Sequence, residues 1–73
     1  SLYDKAFDSG LISISPEDYT VIISKELKDY KNTAFYNNLF AQVEHKPILI
    51  PERHSPNKLF LEYHMNNIFS EHN

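Results

Sequence analysis

The chain opens on a short helical segment, passes through strand-like alternation, and returns to helical spacing for its second half. Residues 2–9 read as a short helix. Gly10 follows as its natural terminator, because glycine reaches the left-handed conformation without steric penalty. Leu11-Ile12-Ser13-Ile14 then alternates apolar and polar, the period of a half-buried strand. Ser15-Pro16-Glu17-Asp18 is turn chemistry: proline presets φ, and aspartate accepts local backbone hydrogen bonds. Tyr19-Thr20-Val21-Ile22-Ile23 is dense in β-branched and aromatic residues. Together these segments predict a β-hairpin with a loop of about four residues.

The stretch from Ser24 to Lys31 is charged and reads as one helical turn. From Asn32 to Glu44, Tyr36, Leu39, Phe40 and Val43 recur at the spacing of one apolar helical stripe. Pro47 is expected to end that helix. Ile48-Leu49-Ile50 lies between Pro47 and Pro51, as an edge strand or an extended segment. Ser55-Pro56 has the form of a helix start, a side-chain cap followed by proline at the first helical position. The last helix is predicted over residues 56–70, with Leu61, Met65, Ile68 and Phe69 facing inward and Leu59, Phe60 and Tyr63 beside them. The expected architecture is α+β, a single small domain over residues 1–73: a short N-terminal helix, a hairpin, then two longer helices packed on one face.

Composition narrows what this fold can do. With 73 residues the chain is near the lower limit of a stable core, burying only about 60% of the surface its unfolded form exposes. Cysteine is absent, which removes disulfides, thiolate zinc sites and a cysteine nucleophile. Five Phe and five Tyr must carry much of the packing. The net charge of −3 is poor electrostatics for a stand-alone nucleic-acid binder. No apolar run approaches the roughly 20 residues of a membrane span, and no signal peptide is visible, so a soluble cytoplasmic protein is expected. The start at Ser-Leu-Tyr, without methionine, is expected of a piece of something longer.

Candidate chemistry begins at Asp4 and Asp8, one helical turn apart and therefore on one helix face. Two such carboxylates suit a hard divalent cation, which prefers oxygen ligands. The plain alternative is that Asp4 simply favours the positive end of the helix dipole. Asp8 gains nothing there and would instead cap the turn at Ser9-Gly10 or pair with a cation. The four histidines, His45, His54, His64 and His72, form no pair at helical ligand spacing. Lys25, Lys28 and Lys31 share a face if that stretch is helical and could touch phosphates, although the interleaved Glu26 and Asp29 describe an ordinary solvated face. Arg53, the sole arginine, is the better single candidate for a phosphate clamp. One glycine rules out a glycine-rich phosphate loop, and no nucleophile elbow is present.

The run Tyr3-Asp4-Lys5-Ala6-Phe7-Asp8-Ser9-Gly10-Leu11-Ile12-Ser13 resembles the tail of the HNH endonuclease motif. The branch is the bacterial, restriction-type one whose helix reads His-x-x-Phe-Asp-x-Gly-Leu. Downstream, Pro51, Ser55-Pro56, Leu61-Glu62-Tyr63-His64 and Ile68-Phe69 are similar to that branch's closing segment, a Pro-bearing loop and a helix with an aromatic-His pair and a terminal Phe. The resemblance covers nearly the whole chain; Phe7-Asp8-x-Gly10 is its specific core.

It implies a ββα-metal nuclease of restriction or mobile-element kind. In such enzymes a strand histidine is the general base, and one divalent metal steadies the charge on the scissile phosphate. The family's helical metal ligand falls on Asp4, where histidine is commoner; aspartate still suits Mg²⁺ or Mn²⁺. Phe7 would be the core anchor of that helix, Asp8 and Gly10 its end, and His64 a hydrogen-bonded structural histidine. The base histidine and the asparagine that orients it belong upstream of Ser1, so no catalytic residue is expected here. DNA is the partner implied for the full-length protein, and Lys25, Lys28 and Arg53 its candidate contacts. The competing expectation is a non-catalytic interaction or dimerisation module, its aromatic-rich C-terminal helices packed on a partner domain or, as a homodimer, on a second copy. Truncation would leave apolar surface to be covered by association.

Overall fold

The computed structural model describes residues 2–48 and 57–73. It is an α+β fold. Helix α1 (Leu2–Asp8) leads into an antiparallel hairpin of β1 (Ile12–Ile14) and β2 (Val21–Ile23), followed by α2 (Lys25–Lys28), α3 (Ala34–Leu39) and α4 (Lys58–Tyr63). Beyond α4 the chain continues as a π-helical turn, His64–Ile68, and a 3₁₀ turn, Phe69–His72.

Helix α1 stops because two hydrogen bonds fold its end back on itself. The Leu11 N–H donates to the Ala6 carbonyl at 2.9 Å and the Gly10 N–H to the Phe7 carbonyl at 3.0 Å. This is the paired closure of a Schellman end, and it needs a left-handed residue at Gly10, where φ is +83°. A second constraint acts at the same atom. A Cβ on Gly10 would lie 2.5 Å from the Ile68 carbonyl oxygen and 2.9 Å from the His72 ring. The glycine thus serves both the turn and the close approach of the C-terminal helical segment.

The hairpin register pairs Ile12 with Ile23, Ser13 with Ile22 and Ile14 with Val21. Paired residues share a sheet face, so Ile12, Ile14, Val21 and Ile23 lie on one side and Ser13 on the other. Ile12, Val21 and Ile23 enter the main core with Ala6, Leu27, Tyr36 and Phe40. The connecting loop is held by Asp18, whose carboxylate accepts from both the N–H and the hydroxyl of Thr20. Tyr19 closes it at φ 59°.

Ser24 caps α2 by accepting from the Leu27 N–H at 3.1 Å, and Thr33 caps α3 by accepting from Tyr36. The stripe Tyr36, Leu39, Phe40, Val43 does turn inward: Tyr36 and Phe40 are buried, Leu39 and Val43 half-buried. The regular helix nevertheless ends at Leu39, not at Glu44. Residues 44–48 leave it to run along the free edge of β2. There the Val21 N–H donates to the Lys46 carbonyl, the His45 N–H to Val21 and the Ile48 N–H to Tyr19. His45 adopts φ 62° to make the turn. Pro47 is therefore not a helix stop; it bridges Thr20 at the sheet edge, where a missing N–H is tolerated. Of the expected strand at 48–50, only Ile48 is among the described residues.

Helix α4 begins at Lys58, with the Asn57 side chain accepting from the Leu59 N–H at 2.7 Å. The anticipated cap at Ser55-Pro56 lies outside the described residues. In the π-helical turn residues five apart become neighbours, and this brings both His64 and Phe69 to the buried side. Leu61 is buried, Met65 and Ile68 are half-buried, and Leu59, Phe60 and Tyr63 stay exposed. The C-terminus is tied to α2: Asn73 accepts from the Lys25 N–H, and the His72 ring meets the Glu26 carboxylate.

Candidate site on the first helix

Helix α1 presents Tyr3, Asp4, Phe7 and Asp8 along one face, the spacing of neighbouring turns. These four form one wall of a groove of about 870 Å³. Its floor is Ile12, Ile14 and Val21, and its far wall is the 43–48 segment with Val43, Lys46 and Ile48. Asp4 and Asp8 are both exposed at its rim. The helix is fixed at its start by Tyr3, whose hydroxyl donates to the Leu39 carbonyl at 2.7 Å and whose ring meets Phe40 edge-on.

Phe7 fixes the other end. Its ring stacks on His64 with centroids 3.7 Å apart and planes 3° from parallel. His64 is 1% exposed, and both its nitrogens are engaged. Nε2 lies 2.5 Å from the Phe7 carbonyl oxygen and Nδ1 lies 2.8 Å from Ser13 Oγ. A carbonyl can only accept, so Nε2 carries a proton. In the neutral ring Nδ1 then accepts from the Ser13 hydroxyl. Ser13 is fully buried, so this Ser–His contact is a packing device and no attacking hydroxyl reaches a substrate there.

The residues singled out in the sequence are not gathered into one cluster. Asp4, Phe7 and Asp8 share the α1 wall, Gly10 closes the helix, and His64 buttresses it from behind. Lys25 and Lys28 sit on α2, and neither lines the groove. Lys28 is engaged with Glu44 at 2.7 Å. That hydrogen bond to Glu44 raises the Lys28 pKa above the usual lysine value. Burial, then the same Glu44 charge, raises the Tyr36 hydroxyl. Arg53 and His54 lie outside the described residues. His45 is exposed beside Glu44, and His72 is spent on Glu26.

Lys46 is the groove residue that sequence reasoning missed. A lone lysine before a proline carries no motif; only the return of residues 44–48 to the β2 edge brings it opposite α1. Ser13 was missed for the same reason, its partner being 51 residues away.

A divalent cation fits the chemistry of Asp4 but not a complete site. Among the described residues no group of three or more His, Cys, Asp or Glu side chains could hold a metal. Asp4 offers one hard oxygen ligand, so a working centre needs donors from elsewhere. No helix among the described residues is long and apolar enough to cross a membrane. Comparison of the chain with protein-family models, with curated proteins and with solved structures returns no match.

Proposed function

We propose that the chain is the C-terminal portion of an HNH-type, metal-dependent DNA endonuclease domain acting in the cytoplasm. In this reading α1 is the metal helix, and the segment from α4 onward is its support. Asp4 supplies one carboxylate toward Mg²⁺ or Mn²⁺. Phe7 anchors the helix, Gly10 terminates it, and His64 holds it from behind. The general base and the remaining metal donors come from residues upstream of Ser1, so the 73 residues do not cleave DNA alone.

One observation carries the reading. The two parts of the resemblance, Phe7 in the opening motif and His64 in the closing helix, are 57 residues apart and stack face to face. The motif's glycine sits against that same closing segment, at the Ile68 carbonyl. Phe7, Gly10, His64 and Ile68 thus form one contiguous support for the helix that carries the exposed Asp4.

The experiment is plasmid cleavage by the chain extended upstream with its native sequence, beside the 73-residue chain, in Mg²⁺ or Mn²⁺. Cleavage is expected from the extended protein alone and is expected to vanish with Asp4→Ala. An upstream sequence without histidine, or cleavage indifferent to Asp4, overturns the proposal. A second reading, a self-association module, is favoured by the apolar surface exposed on α4.

A further inference from the structure

Helix α4 turns three large apolar side chains outward: Leu59 is 73% exposed, Tyr63 58% and Phe60 49%. Residues three and four apart are neighbours on a helix, so Tyr63 adjoins both of the others. The patch amounts to a few hundred Å², about the largest a monomer usually leaves uncovered. It cannot turn inward, because Leu61 and His64 already occupy the inner face.

The charges beside this patch are self-complementary. Lys58 and Glu62 lie one turn apart along the same edge of the helix. Among the described residues neither takes part in an ion pair. Their order is the weaker one for the helix itself. A lysine at the first position opposes the dipole, and Lys preceding Glu by four pairs less well than the reverse. The pair thus contributes little to the helix itself, and an antiparallel copy would set each charge opposite its complement.

We propose that the outer face of α4 seats a second copy of the chain, packed antiparallel across a two-fold axis. In such a pair each helix edge meets the same edge of its copy in reverse order. Lys58 then faces Glu62 of the partner subunit, and the pairing repeats on the other side of the axis. Leu59 lies against Tyr63 of the partner subunit, and Phe60 extends the apolar seam toward Phe7. A parallel copy would instead set the Lys58–Glu62 edge against the opposite, uncharged flank. The contact is small, so the dimer is weak, forming in the micromolar range or above. The inference does not depend on the nuclease reading.

Sedimentation velocity of the 73-residue chain from low micromolar to near-millimolar concentration tests it. A reversible monomer–dimer equilibrium is expected, and Leu59→Gln is expected to abolish it. Lys58→Glu and Glu62→Lys are each expected to weaken the dimer about fivefold, since each sets like charges together twice. Mixing those two variants is expected to restore it as a heterodimer. Circular dichroism shows whether each variant keeps its fold, and Tyr63→Gln, on the same exposed patch, replaces Leu59→Gln if that one does not. A monomer at every concentration overturns the proposal. So does a dimer indifferent to Leu59 and Tyr63, or one that mixing fails to restore.

Discussion

At the scale of single residues, the buried Ser13–His64 pair, with the half-buried Phe7 ring stacked on it, ties α1 and the hairpin to the C-terminal helical segment. His64 Nδ1 is paired with the Ser13 hydroxyl, and both groups are shut away from water. Ser13→Ala is expected to destabilise the chain by about 1–3 kcal/mol, the cost of a buried polar atom left unpaired. Urea unfolding checks this; a loss below about 0.5 kcal/mol would show that water reaches the ring. Gly10→Ala meets two penalties together, a left-handed φ and a carbonyl 2.5 Å from the new Cβ. Its expected loss exceeds about 2 kcal/mol, because the left-handed position alone costs about 1–2 kcal/mol for a residue with a Cβ. The same unfolding experiment reads it, and a neutral result would mean that the 64–72 segment is free to move away.

At the scale of elements, what was legible in the sequence divides by range. Helix α1 and the hairpin are written in neighbouring residues: a glycine terminator, alternation in 11–14, turn residues in 15–18. Asp4 and Asp8 were legible as a shared face for the same reason. The end of α3 was not, because it is set by hydrogen bonds from residues 45, 46 and 48 to the edge of β2. An apolar stripe reports which side is buried; it does not report that the backbone must straighten to pair with a strand 20 or more residues earlier. The groove and its Lys46 wall depend on that pairing, which is why sequence reasoning saw one wall only.

The Lys28–Glu44 pair links α2 to the segment that straightens. The Lys28 pKa is raised, so its contribution is fully present below the ordinary value of 10.5 and is lost as pH rises through the higher folded value. Asp18 behaves oppositely. The Thr20 hydroxyl, then the Thr20 N–H, lowers its pKa, so the hairpin loop's contribution is present above the ordinary 3.8 and fades as pH falls through the lower folded value. Thermal unfolding against pH is expected to lose the Asp18 contribution only in acid and the Lys28 contribution only in strong alkali. Asp18→Ala should flatten the acid limb and leave the alkaline one unchanged. Flattening of the alkaline limb by that variant would contradict the assignment.

At the scale of the whole molecule, charge decides what the isolated chain can hold. Seven basic side chains stand against ten acidic ones. Lys28 is engaged by Glu44, while Asp4 and Asp8 line the rim of the groove. Affinity for duplex DNA grows with the number of phosphates that cations neutralise, through counterion release. A chain that meets the backbone with net negative charge gains little from that source. The 73 residues are therefore expected not to retard duplex DNA at low micromolar concentration in physiological salt. On the proposed nuclease reading, the same assay on the chain extended upstream with its native sequence is expected to give a salt-dependent complex, its cations and metal donors coming from the added residues. Tight, steeply salt-dependent binding by the isolated chain would place the DNA-contacting surface within these residues. It would also make Lys25 and Lys46, rather than anything upstream, the first side chains to substitute.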